Sequence, residues 1–143
     1  MLTSDQKGAV AEAGIAHEAL RLGIGVSRPL ADEFYDLILD LRSRLLRVQC
    51  KWATKRGGAV VVECHRNRRN ADGLLRQLYP ADSVDAFAAY CGADRSCYLI
   101  PTGELPPCAS IRLRDAPARN NQQSGIRWAS DFEFAAKLQR LGP

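Results

Sequence analysis

The spacing of polar and apolar positions changes several times along the 143 residues, and each change marks an element. From Thr3 to Leu22 the period is helical: Gly8, Glu12, Ile15, Ala16, Ala19 and Leu22 share one face of a 3.6-residue repeat. Thr3 and Gln6 have capping-box spacing at its start, and Gly23 and Gly25 close it. Glu12 therefore falls inside the apolar stripe, although a small rotation of the helix would leave it solvated, the commoner fate of a helical glutamate.

From residue 25 the period drops to two. Residues 25–28 form a short strand closed by Pro29, residues 35–41 alternate up to a turn at Arg42 and Ser43, and residues 44–52 return as the second arm of an antiparallel hairpin. The β-branched run AVVVEC at 59–64 reads as a buried central strand. HRNRRNADG reads as a polar, basic loop and LLRQLY as a short helical piece stopped by Pro80. Strands are expected at 85–91 and 96–100, an edge strand at 111–114, and a closing helix at 131–141 with Ser130 and Glu133 at capping-box spacing. No repeat, linker or low-complexity segment interrupts the chain, and its length suits one domain spanning 1–143.

Period two also exposes a puzzle. Leu46, Val48, Cys50 and Trp52 share one face of their strand, while Arg47, Gln49 and Lys51 share the other with Leu45; across the hairpin Asp36, Ile38 and Asp40 oppose Tyr35, Leu37, Leu39 and Leu41. A polar group in a core-forming strand is costly unless it is hydrogen bonded or bound to something. If the Asp36 side meets the Gln49 and Lys51 side, a carboxylate, an amide oxygen and an ammonium converge, and Glu12 can complete the set. Magnesium prefers such a site, with one or two carboxylates, waters and substrate phosphate; Glu12, Asp36 and Gln49 are the candidate ligands. The ion would polarise a phosphodiester and acidify an attacking water. Lys51, too cationic to ligate, would hold that water or stabilise charge developing on the phosphate. The alternative is a buried ion pair of Lys51 with Asp36 or Glu12 that needs no metal.

Composition narrows the class: 46% hydrophobic and 25% charged residues are ordinary for a soluble globular protein. No apolar run approaches the roughly 20 residues of a membrane span, and MLTSDQKGAV lacks a signal-peptide layout, so a cytoplasmic location is expected. Cys50, Cys64, Cys91, Cys97 and Cys108 are odd in number, without zinc spacing, and read as reduced thiols. Charge is uneven: residues 42–76 hold ten basic and two acidic side chains, while the chain as a whole is only +4. A local excess of that size attracts a polyanion. Lys55, Arg56, Arg66, Arg68, Arg69 and Arg76 are placed to grip phosphates flanking the site, although each reads about as well as a solubilising side chain. Asn120 and Asn121, with Gln122, Gln123 and the following Arg127, are candidates for reading base edges. Asp85 reads as structural.

Glu12 in the first helix, Tyr35 and Asp36 opening a strand, and Gln49, Cys50 and Lys51 on the next together resemble the PD-(D/E)xK nucleases. Within them the order is most similar to the group I intron-associated homing endonucleases, with their helical glutamate and Q-x-K motif. RVQCKWA, VDAFAAY with YLIP, and NNQ with IRWA extend the likeness over most of the chain. Two departures stand out: Pro29 lies well before Asp36, so no Pro-Asp pair exists, and Gln49 replaces an acid, removing one negative charge from the metal site. The resemblance implies an α/β fold with a restriction-endonuclease-like αβββαβ core and a mixed central sheet flanked by helices. It also implies hydrolysis of double-stranded DNA with Mg2+, Mn2+ substituting, by a homodimer or homotetramer associated with the nucleoid. Alternatives are a Holliday-junction resolvase or repair nuclease, and a non-catalytic DNA-binding protein on a decayed nuclease scaffold.

Overall fold

The Thr3 hydroxyl accepts the Gln6 backbone N–H at 3.2 Å while the Gln6 side chain accepts the Thr3 N–H at 2.9 Å, the reciprocal cap expected from their spacing. This cap opens α1 (Ser4–Arg21). At the far end Gly23 takes φ +80°, which lets Gly23 N–H reach Leu20 O and Ile24 N–H reach Ala19 O, a Schellman closure. The computed structural model describes residues 1–105, 110–117 and 125–142, the side chains at 67–70 and 74–76 excepted. The buried stripe of α1 is Ala11, Ile15 and Ala19, one position round from the expected face, so Gly8 is exposed and Glu12 flanks the stripe.

The chain then builds a mixed sheet from β1 (Gly25–Ser27), β2 (Leu37–Asp40), β3 (Leu45–Arg56), β4 (Ala59–Glu63), β7 (Ala86–Cys91), β8 (Ser96–Pro101) and β9 (Ser110–Arg114). Between β4 and β7 lies a separate two-stranded sheet of β5 (His65–Asn70) and β6 (Gly73–Leu78). β1 to β4 and β9 pair antiparallel in succession, β7 runs parallel to β3, and β8 pairs antiparallel with β7. The hairpin of β2 and β3 is as expected, with Arg42 at φ +70° in its turn and Leu37 opposite Val48.

The pairing of β3 positions the site. Val48 pairs with both Leu37 and Ala86, and Ala53 with both Val62 and Cys91, so β7 takes one edge of β3 and β2 and β4 share the other. β2 stops at Val48 and β4 starts at Ala53. Residues 49–52 therefore face a gap in the sheet, where backbone groups of that edge need other partners.

Two apolar layers cover the sheet. Ile15 and Ala19 of α1 pack with Leu37, Leu39, Val48 and Cys50, together with Phe134 and Leu138 of α2 (Phe134–Leu141). Gly14 brings α1 close to β7: a Cβ there would sit 2.5 Å from the Tyr90 ring. The opposite face carries Ala53, Val62, Phe87, Ala89 and Ile100 beneath Phe132, Ala129 and Tyr79. Among the described residues no helix is long and apolar enough to cross a membrane. Cys50, Cys91 and Cys97 are free thiols and Cys64 is buried; Cys108 lies outside the described residues.

Two local expectations fail. HRNRRNADG and LLRQLY are not a loop and a helix but the two arms of β5 and β6, joined through Ala71 and Asp72 with Gly73 at φ +117°. Six residues are too few to sustain a helix once a partner strand satisfies the same backbone groups. The closing helix starts at Phe134, later than residue 131, because the Glu133 carboxylate itself caps the Ala135 and Ala136 N–H groups at 3.2 and 2.9 Å. Ser130 lies in a 3-10 turn, Ala129–Phe132.

Candidate active site

Asp36 stands where β2 leaves β3. Its backbone N–H donates to Val48 O at 2.9 Å, and its Oδ2 accepts the Cys50 N–H at 3.0 Å, so it grips β3 on both sides of Gln49. The carboxylate thus replaces the missing strand at the gap. Burial raises the Asp36 pKa, outweighing the Cys50 N–H and the nearby charges of Lys51 and Arg28. Oδ1 has no hydrogen-bond or ion-pair partner among the described residues.

Glu12 reaches the same place from α1. Its side chain is 24% exposed, and it lines with Asp36 a cleft of about 280 Å³ that Tyr35, Asp32, Glu33 and Arg28 also border. Cys50 registers the proximity: burial pushes its thiol strongly up, and both Asp36 and Glu12 add to the shift. Arg28, in the segment after β1, holds Glu12 Oε1 at 2.6 Å.

Gln49 is half-buried on β3 between the two residues whose backbone Asp36 bonds, and its amide meets no hydrogen-bond partner among the described residues. Lys51 lies on the same face of β3, next to the gap, but its ammonium donates to His65 O at 3.0 Å and stands 5.0 Å from the Tyr79 ring centre. Burial lowers the Lys51 pKa against the opposing pull of Cys64 and Asp36. The structure thus gathers Glu12 and Asp36 in one cleft, whose lining does not include Gln49, and sets the Lys51 ammonium toward the start of β5. Neither carboxylate makes an ion pair with Lys51, so the metal-free pairing read as an alternative in the sequence is absent among the described residues.

The donor set fits a hard ion. Two carboxylates in one cleft, with ligand positions left for water and phosphate, match what magnesium takes from a protein, and Gln49 would have to turn its amide oxygen toward them to add a third ligand. Among the described residues no three or more His, Cys, Asp or Glu side chains come together as a metal-binding group, so an ion in this cleft would take the rest of its ligands from water and substrate.

The basic residues divide. Lys55 is exposed and forms surface ion pairs with Asp94 at 2.7 Å and Asp115 at 3.5 Å. Arg56 is exposed at the end of β3, Arg127 is exposed before the 3-10 turn, and Arg66 stacks 4.5 Å from the Phe34 ring centre. Arg68 and Arg69 lie on β5 with side chains outside the described residues, as does that of Arg76 on β6; Asn120 and Asn121 lie outside the described residues altogether. Asp85 is structural, accepting both the backbone N–H and the guanidinium of Arg47. Sequence reasoning missed Arg28, Phe34 and Tyr79. A lone arginine before a proline carries no pattern; only its place just beyond the strand lying beside α1 marks it.

The sequence profile of the PD-(D/E)XK endonucleases matches residues 2–135. The chain belongs to the PD-(D/E)XK endonuclease family. A solved structure of a bacterial homing endonuclease, I-Ssp6803I, is similar over 97% of this chain and 95% of that one, at 26% identity and a TM-score of 0.74. No curated protein sequence matches the chain. The fold is accordingly the mixed α/β PD-(D/E)XK fold, and the protein is a nuclease, a hydrolase of a family that generally uses divalent metal ions. The sequence motif and the gap in the sheet coincide in this PD-(D/E)XK endonuclease at Asp36 and at the 49–52 segment of β3.

Proposed function

We propose that the protein is a magnesium-dependent endonuclease that cuts both strands of duplex DNA, with Mn2+ able to substitute. The observation that carries this reading is Asp36, fixed by the Cys50 N–H in the gap of the sheet and sharing a cleft with Glu12. Glu12, Asp36 and Gln49 hold the ion. When bound, the ion polarises the scissile phosphodiester and makes an attacking water more acidic. Asp36 needs no rearrangement for this work, because its carboxylate is already oriented by β3. Lys51 swings from His65 O toward the gap and stabilises charge developing on the phosphate. Its half-buried site makes that charge count for more than it would in water.

Arg56, Arg66, Arg127 and the β5 and β6 hairpin bearing Arg68 and Arg69 grip flanking phosphates, and Asn120 and Asn121 contact base edges. A two-stranded ribbon is narrow enough for the major groove. Lys55 supports this surface through Asp94 and Asp115. A single 1–143 domain carries one site, so cutting two strands takes two or more copies, a homodimer or homotetramer working on nucleoid DNA. The likeness to I-Ssp6803I, a bacterial homing endonuclease, supports a linear, sequence-specific target over a branched one.

The test is a randomised duplex library incubated with the protein and Mg2+, its ends sequenced. Discrete cut sites are expected, with Lys51→Ala slower by about 10²- to 10³-fold. Equal rates for wild type and Lys51→Ala, or salt-sensitive binding without turnover, would overturn the reading.

A further inference from the structure

Four carboxylates, Glu12, Asp32, Glu33 and Asp36, border the cleft, and Arg28 is the one cation among its described lining residues. Its guanidinium is 2.6 Å from Glu12 Oε1, and its charge also reaches Asp36. The Arg28 side chain is 70% exposed, so water and substrate can approach it from outside, while Glu12 is only 24% exposed.

From this geometry we infer that Arg28 is an exchangeable counter-ion: it neutralises Glu12 in the metal-free protein and, once a divalent ion takes Glu12, turns onto a DNA phosphate. The inference rests on the metal-site reading above. Two positive charges cannot share one carboxylate without mutual repulsion, so the guanidinium and the ion compete for Glu12. A guanidinium released from a carboxylate keeps its planar fork of donors, which suits a phosphate equally well. The cleft's own negative charge would repel DNA; a divalent ion offsets most of the net charge of its four carboxylates and Arg28, and the released Arg28 turns its own positive charge to a phosphate. Metal and DNA then favour each other through one side chain that changes partner.

The exchange has a signature with opposite signs in two assays. Calcium, a hard oxygen-seeking ion, serves as probe. Titration calorimetry of the DNA-free protein should show Arg28→Ala binding Ca2+ about five- to tenfold more tightly than wild type. Anisotropy on a labelled random-sequence duplex in Ca2+ should show the same variant binding DNA more weakly, with the slope of log K against log salt smaller by about one. In EDTA that slope should not change, because Arg28 is then engaged by Glu12. In a Glu12→Gln background, Arg28→Ala should no longer tighten Ca2+. Unchanged or weaker Ca2+ binding by Arg28→Ala, a slope change equally present in EDTA, or a gain that survives Glu12→Gln would each overturn the exchange. A wild-type protein that binds no Ca2+ would instead remove the metal-site reading, and the exchange with it.

Discussion

In the proposed mechanism Asp36 has two tasks, to hold a negative charge for an ion and to hold a strand together while half-buried, and a pair of substitutions separates them. Asp36→Asn keeps an oxygen to accept the Cys50 N–H but removes the charge; Asp36→Ala removes both. Cys50 is only 8% exposed, so in the alanine variant its N–H loses its acceptor with little access to water. An orphaned donor of that kind costs about 1–3 kcal/mol. Burial raises the Asp36 pKa, so the ionised form is a net burden on the native state. That burden is present above the folded pKa and is relieved as pH falls through it toward the unfolded value. Urea unfolding at pH 7 in EDTA should therefore rank Asp36→Asn at or above wild type and Asp36→Ala about 1–3 kcal/mol below Asp36→Asn. The advantage of Asp36→Asn over wild type should shrink on acidification. Both variants should lose at least about 10²-fold in Mg2+-dependent cleavage. Equal stability of the two variants would refute the hydrogen bond that closes the gap, and retained cleavage by Asp36→Asn would refute the role of the charge.

Lys51→Met should raise stability in EDTA while abolishing cleavage, since burial already lowers the Lys51 pKa and the charged form is the costly one; a destabilised, active variant would contradict this. For Asp85, burial pushes the pKa up, but the Arg47 guanidinium and backbone N–H outweigh it and hold the carboxyl below its usual range. Its stabilisation is complete above the unfolded pKa near 4 and is lost as pH falls through the lower folded value. The stability gap between wild type and Asp85→Asn should accordingly be widest at neutral pH and narrow below about pH 4 in acid unfolding curves. Arg56→Ala should lower the salt slope of DNA binding by about one, whereas Lys55→Ala, already paired with Asp94 and Asp115, should change it less.

The parts of the site that sequence made legible are those set by local periodicity. Alternation alone put Gln49 and Lys51 on one face of β3, and the Thr3 and Gln6 spacing alone opened α1. The gap was invisible because it follows from where β2, β4 and β7 each stop along β3, and those pairings join residues far apart in the chain. Arg28 opposite Glu12, and Lys55 between Asp94 and Asp115, were hidden for the same reason. LLRQLY misled because two leucines three and four residues from a third suit a helix as well as a strand, and only the partner HRNRRN decides between them. The small rotation of α1 that its pattern allowed is the one found, and it leaves Glu12 at the lip of a cleft rather than in the core.

The central claim is that an ion binds between the acid of α1 and the acid at the gap of the sheet. Anomalous scattering from crystals soaked in Mn2+ tests it most directly. The account predicts a peak within about 2.0–2.4 Å of oxygens from both Glu12 and Asp36, with Gln49 beside it. A peak elsewhere in the molecule, or none at a concentration that supports cleavage, would contradict it.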